Sequence, residues 1–316
     1  MMNMKKIIGL DLGGTFIKIG VVTDKGKILS KKEIPTPKRQ GRRKILEVMA
    51  ESINNCLKDY PKREFLGIGI GTPGLVDKDG KVFLAPNLPN WDNLNIKKIF
   101  EEKFSLPVKV ENDANAITWG EYKFGAGKGY DNIICITLGT GVGGGVVLNG
   151  KLLRGAKYSA VEIGHMPICY AGPRCNCGNI GCIEQYVGAK YIVDMAKKKL
   201  KGRKSVILEI VGGKMDKITP RIISEAYNRG DKLAKEIWIE VGIYLGTLFS
   251  GLVNLLNPQV IVIGGGVAQV GGILFSTIKK TIDERSFSLL TKDVKVVPAK
   301  LGKDAGIISC ASLFLS

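Results

Sequence analysis

Asp113 follows Asn112 directly after an apolar-rich strand pattern, Val108 to Glu111, and stands before a helical one beginning at Ala114. A carboxylate at the carboxyl end of a strand is well placed to take a proton from a hydroxyl aimed at a phosphoryl group. The same Asn-Asp pair suits the cap of the helix that follows, a common use of both residues. Three glycine-rich turns accompany it. Asp11-Leu12-Gly13-Gly14-Thr15 ends a buried strand with an acid and then two glycines; Leu138-Gly139-Thr140-Gly141-Val142-Gly143-Gly144-Gly145 repeats the pattern; Gly264-Gly265-Gly266 closes a short apolar strand. Glycines let backbone N–H groups approach an anion, Thr15 adds a hydroxyl donor, and Asp11 suits a magnesium ion or its water shell. The last turn could pass close to an adenosine or ribose. One such turn is often only a hairpin, but three in one chain, the first carrying an acid, point to nucleotide binding.

A second constellation is His165 with Cys175-Asn176-Cys177-Gly178-Asn179-Ile180-Gly181-Cys182. Three thiols and an imidazole, with glycines for tight turns, suit a tetrahedral zinc site. A redox pair or a merely cysteine-rich loop are the other readings of that spacing. The single histidine of the chain lies just upstream, and a reducing compartment disfavours a lasting disulfide. Seven cysteines are an odd number for a disulfide scaffold, and Cys56, Cys135, Cys169 and Cys310 are scattered, as small buried hydrophobes would be.

These residues must be positioned by alternating elements. Lys6 to Asp11, Phe16 to Thr23 and Lys27 to Ile34 read as strands, and Arg42 to Asp59 as a helix with apolar Ile45, Leu46, Val48, Met49 and Ile53. Phe65 to Gly71 is a strand running into Thr72-Pro73-Gly74, and Ala114 to Phe124 is a helix. Asn132 to Leu138 and Val142 to Leu148 form a second strand pair around a Gly/Thr turn, so the chain holds two similar halves. A long helix, about Lys232 to Leu256, precedes the strand Gln259 to Ile263, and Val294 to Val297 supplies a late strand.

Composition excludes several classes. No Gly-Lys-Ser/Thr follows the glycine turns, so they are not a Walker loop; Gly139 to Gly144 leads into a strand instead of a helix, which disfavours a dinucleotide site. The chain has 316 residues, 45% apolar and 24% charged, enough for two α/β domains. Its net charge of +18 invites a nucleic-acid partner. However, the basic clusters Lys38 to Lys44 and Lys197 to Lys204 lack interleaved aromatics and any binding signature, and read as solvated surface. The apolar run Val241 to Leu256 contains Asn254 and is too short for a span, so a core helix and no membrane are expected. Only Ile7 to Leu10 follow the first lysines before Asp11, short of a signal peptide, so the expected location is the cytoplasm.

Asp11 to Thr15, Glu111-Asn112-Asp113-Ala114-Asn115, Leu138 to Gly144, Glu162-Ile163-Gly164-His165, the cysteine cluster and Asn257 to Gly266 resemble, in order and across nearly the whole chain, the ROK family of sugar kinases, repressors and open reading frames. Within it the chain looks most like the glucokinases. The resemblance implies a two-lobed actin/hexokinase-like (ribonuclease H-like) α/β fold with a central cleft. The smaller lobe is expected at 1–116 plus 301–316, and the larger, zinc-carrying lobe at 117–300. It implies ATP, Mg2+ and a structural Zn2+ on His165, Cys175, Cys177 and Cys182. It also implies transfer of a γ-phosphoryl group to the 6-hydroxyl of a hexose, glucose foremost, with Asp113 as general base. The nucleotide set becomes Asp11, Gly13, Gly14, Thr15, Lys18, Gly139, Thr140, Gly141, Gly143, Gly264, Gly265 and Gly266. The sugar set becomes Gly74, Asn87, Asn112, Asp113, Glu162, His165 and Glu184, with Asn90 a rival for the place of Asn87. Kinases for mannose, fructose or an N-acetylhexosamine share these motifs, and Val161 stands where many relatives have a smaller residue. The family's repressors carry an added N-terminal DNA-binding domain, whereas the first strand here starts at about Lys5, which favours the enzyme. A homodimer or homotetramer is the family's expectation.

Overall fold

A computed structural model of the chain describes residues 5–85 and 88–315. Along the chain run β1 (Lys6–Leu12), β2 (Phe16–Thr23), β3 (Ile28–Pro35), α1 (Gly41–Lys58), β4 (Phe65–Thr72), β5 (Leu75–Val76), β6 (Lys81–Leu84) and β7 (Leu94–Asn95). Then come α2 (Ile96–Phe104), β8 (Val108–Asn112), α3 (Asp113–Phe124), β9 (Ile133–Leu138), β10 (Val142–Leu148) and β11 (Lys151–Leu152). Helices α4 (Glu184–Val187), α5 (Ala189–Leu200), α6 (Val206–Ile210), α7 (Pro220–Asn228) and α8 (Lys232–Leu256) follow. The chain closes with β12 (Val260–Gly264), α9 (Gly272–Arg285), α10 (Ser288–Thr291), β13 (Lys295–Pro298) and α11 (Ala305–Ser312).

The chain divides into two compact units. One comprises residues up to Gly129, Gly145–Val161 and the chain from Lys300 on; the other comprises Tyr130–Gly144 and Glu162–Ala299. The sequence reading drew its line at 116/117, through α3. The structure keeps α3 whole in the first unit because its body is tied there. Buried Glu121 accepts the N–H groups of Ala126, Lys300 and Leu301, and Trp119 Nε1 donates to Ser312 O at 3.0 Å.

In the first unit the sheet order is β3-β2-β1-β4-β8, with β1 antiparallel to β2 and parallel to β4. One face buries Ile8, Leu10, Ile68 and Ile70 together with Ile45, Met49 and Ile53 of α1 and Phe100 of α2. The other face carries α11 at unusually short range. A Cβ on Gly69 would stand 1.8 Å from Cys310 O, so only glycine admits the helix backbone there. A small sheet, β5-β6-β7, which the sequence reading did not anticipate, follows the end of β4.

A second five-stranded sheet has the order β11-β10-β9-β12-β13, and of its strands β9, β12 and β13, all parallel, belong to the second unit. This is the strand order of the first sheet again, in line with the repeat read from the two Gly/Thr turns. Helix α8 is long and apolar enough to cross a membrane by length and composition. It packs instead on α9 and α5, burying Ile237, Trp238, Val241, Leu245, Phe249 and Val253, as a core helix does.

Candidate functional site

Within the first unit, β1, β4 and β8 are parallel neighbours, so their carboxyl ends share one edge of the sheet. That edge holds Asp11, Gly71 and Asn112-Asp113. A Cβ on Gly71 would lie 3.8 Å from Asp11 Oδ1 and 3.8 Å from the Asp113 Cα, so the two acids flank this glycine. Buried Cys310 lies against the same glycine, and burial together with the charges of Asp11 and Asp113 pushes its thiol well above the usual range. Burial first, and then the charge of Asp113, hold the Asp11 carboxyl at about 6; Lys18, its cross-strand partner on β2, acts in the opposite direction. Two like charges converging on one edge are what a dication or a shared proton would relieve.

Asn112 supplies the cap of α3. Its Oδ1 accepts the N–H of Asn115 at 3.1 Å, and its Nδ2 donates to Gly74 O at 3.0 Å. The alternative use of the Asn-Asp pair therefore falls to Asn112, and Asp113 Oδ1 accepts the N–H of Ala114 at 2.8 Å. Beneath them Glu111 is buried and satisfied by Asn112 N and by Arg154 Nε at 2.8 Å. Gly74 has φ +100, and a Cβ there would stand 2.1 Å from Leu84 O, so the residue is bound to be glycine. Asn87 lies outside the described residues. Asn90 adopts φ +52, and its carbonyl accepts from Arg42 at 3.1 Å.

The turn Gly13-Gly14-Thr15 is cross-braced from β3's end. Thr36 N donates to Thr15 O at 2.8 Å, and Thr36 Oγ1 donates to Gly13 O at 2.8 Å. Lys38, expected in a solvated cluster, instead reaches this turn: a Cβ on Gly14 would lie 2.8 Å from its Nζ.

In the second unit, the turn Gly139-Thr140-Gly141 closes through Gly139 N donating to Gly141 O at 3.0 Å. Glu184, at the start of α4, accepts the N–H of Val142 at 2.9 Å, and Gly139 O accepts that of Ala189 at 3.0 Å. A Cβ on Gly141 would stand 2.5 Å from Glu184 Oε2, so the glycine makes room for the carboxylate. Glu184 is thus a brace of the second glycine turn, a contact that its expected place in the sugar set did not reveal. Gly265, at φ +92, passes so close to Leu138 O that a Cβ would meet it at 2.1 Å. Gly264 to Gly266 and Gly139 therefore lie at the same end of the β9/β12 pair, as a nucleotide site needs. Gly143 lies in β10, and Thr140 and Glu162 are exposed.

His165, Cys175, Cys177 and Cys182 converge, with their donor atoms all within 4.8 Å of one another. Cys175 Sγ is 3.7 Å from His165 Nδ1, and Cys177 Sγ is 3.7 Å from Cys182 Sγ. A tetrahedron built on zinc–sulfur bonds has edges of roughly 3.8 Å, so the set fits zinc. A backbone hydrogen bond from Asn179 lowers the Cys177 thiol, while burial pushes the Cys182 thiol up to about 12. Hydrogen bonds from Cys175 N to Asn179 O and from Gly178 N to Cys175 O fold the loop, and Cys175, Cys177 and Cys182 form no disulfide.

Comparison with known proteins identifies relatives across the whole chain. The ROK family profile matches residues 7–316. A glucokinase of Thermotoga maritima is 36% identical over 309 residues, 98% of this chain and 96% of its own. A xylose repressor of Caldicellulosiruptor bescii is 32% identical, over 99% of this chain and 79% of the repressor. The crystal structure of a ROK family glucokinase from Streptomyces griseus with glucose and AMPPNP superposes with a TM-score of 0.83 at 36% identity, covering 98% of both chains. The fold is the actin/hexokinase-like α/β fold implied by the motifs, and the chain belongs to the ROK family.

Proposed function

We propose that this chain is an ATP-dependent hexokinase, foremost a glucokinase, that moves the γ-phosphoryl group of ATP to the 6-hydroxyl of the sugar. The observation that carries the reading is the division of labour at β8. Asn112 caps the helix, and Asp113 stands as a second carboxylate beside Asp11. Relatives named glucokinase at 36% and 37% identity support it.

In this mechanism Asp113 accepts the proton of the 6-hydroxyl as that oxygen bonds to the γ-phosphorus, and the bond from γ-phosphorus to the bridging oxygen breaks to release ADP. In the first unit, backbone N–H groups of Gly13, Gly14 and Thr15 suit phosphate oxygens and Lys18 adds a cation; in the second, the Gly139 and Gly264 turns offer the same backbone chemistry to a nucleotide. Asp11 would hold magnesium, which when bound would supply positive charge against the phosphates. Glu162, His165 and Glu184 receive sugar hydroxyls, which both donate and accept.

His165 and Glu184 can each serve twice. With Nδ1 turned to the thiols, His165 leaves its Nε2 for a sugar oxygen. With Oε2 on Val142 N, Glu184 keeps Oε1 for the ligand. His165, Cys175, Cys177 and Cys182 would hold zinc, which would lend rigidity to this loop. With these four residues as its ligands, it would keep no open position for catalysis.

A panel of glucose, mannose, fructose and N-acetylhexosamines with ATP, read as ADP release, tests the reading. Glucose should give the highest kcat/KM. A different preferred hexose would reassign the substrate, and no release with any sugar would remove the kinase reading.

A further inference from the structure

Of the basic cluster Lys38 to Lys44, four members are accounted for as surface. Arg42 bonds the Asn90 carbonyl, Arg43 and Lys44 pair with Glu47, and Arg39 is exposed. Lys38 differs. It is half-buried, and a Cβ built on Gly14 would lie 2.8 Å from its Nζ and 3.3 Å from its Cε. Its ammonium therefore lies over the glycine turn that follows Asp11. Among the described residues no carboxylate forms an ion pair with it, whereas Lys18 pairs with Glu33 at 3.8 Å and Lys31 with Asp304 at 2.8 Å.

The approach is built by the backbone. Pro35 faces Phe16 in the β2/β3 register, Thr36 bonds both Gly13 O and Thr15 O, and Lys38 N donates to Thr36 O at 2.8 Å. Prolines at 35 and 37 stiffen the segment on either side of Thr36. A lysine carried on such a rigid strap, over a turn whose N–H groups suit an anion, is a point charge suited to phosphate.

We propose that Lys38 is a phosphate-contacting residue of the nucleotide site, its ammonium meeting the oxygens beyond the α-phosphate. This rests on the reading of Gly13-Gly14-Thr15 as a phosphate turn.

The test compares wild type with Lys38→Met, Lys38→Arg and the exposed control Lys32→Met, titrating ADP and AMP by calorimetry without sugar. Losing one charge-assisted contact should weaken ADP binding by on the order of tenfold in Lys38→Met. AMP binding should stay within about twofold, because it lacks the oxygens concerned. Lys38→Arg should recover most of the ADP affinity, and Lys32→Met should match wild type. In turnover, Lys38→Met should raise KM for ATP and leave KM for the hexose unchanged. Equal ADP affinity in wild type and Lys38→Met overturns the proposal. So does a parallel loss for ADP and AMP, or a loss that Lys32→Met reproduces, since either would mark general attraction by a basic surface. Wild type that binds ADP with the Lys38 dependence, yet phosphorylates no sugar, would uphold the contact and refute only the kinase reading.

Discussion

Replacing Asp113 by Asn should make the ligand-free protein more stable at neutral pH, even though it removes the proposed base. The Asp11 carboxyl is held at about 6 instead of its ordinary 3.8, by burial first and by Asp113 second. The folded state thus binds this proton more tightly than the unfolded chain does. Its ionisation works against folding once the pH passes about 6, and the penalty is relieved as the pH falls towards 4. At ~1.4 kcal/mol per pH unit, the whole displacement is worth about 3 kcal/mol at most, and less to the extent that water reaches this half-buried group. Burial is the larger cause, so the share of Asp113 is about 1 kcal/mol. Asn keeps the oxygen that accepts from Ala114 N and removes only the charge. Urea unfolding from about pH 4 to pH 8, without added magnesium or nucleotide, reads the effect for wild type, Asp113→Asn and Asp11→Asn. Asp113→Asn should gain about 1 kcal/mol at about pH 7.5 and lose part of the downward slope between pH 4 and 6, while Asp11→Asn should abolish this component of the slope. A less stable Asp113→Asn with an unchanged slope would show that Asp113 is a structural anchor and not a like-charged neighbour of Asp11.

Two further substitutions probe the scaffold. Cys177→Ser should lower zinc content measured by metal analysis and weaken sugar binding while the chain still folds; unchanged zinc and sugar affinity would refute the metal assignment. Gly69→Ala, whose methyl would stand 1.8 Å from Cys310 O, should destabilise by about 3 kcal/mol or more because backbone must move, and a shift below about 1 kcal/mol in chemical denaturation would contradict the tight seating of α11.

The strands ending at Asp11 and Asn112, the Gly/Thr hairpins and the grouping of His165 with the cysteine loop were legible because each is a local pattern. The helix read as Arg42 to Asp59 forms at Gly41–Lys58, and the strand read as Lys27 to Ile34 at Ile28–Pro35, shifts that end fraying explains. What stayed hidden is long-range. Nothing near Glu184 says that its carboxylate accepts from Val142, 42 residues earlier, and nothing near Lys38 says that Thr36 straps it to Gly13. The grouping of Gly145–Val161 with the first unit depends on contacts such as Arg154 to Glu111, which periodicity cannot register. The small β5-β6-β7 sheet was missed because two of its strands are two residues long.

The most direct measurement is ADP release with glucose and ATP by wild type and Asp113→Asn, alongside glucose binding to each by calorimetry. The account predicts turnover by wild type, a loss of about 10²- to 10⁴-fold in kcat for the variant, and glucose affinity little changed. Near-wild-type turnover by Asp113→Asn would contradict it.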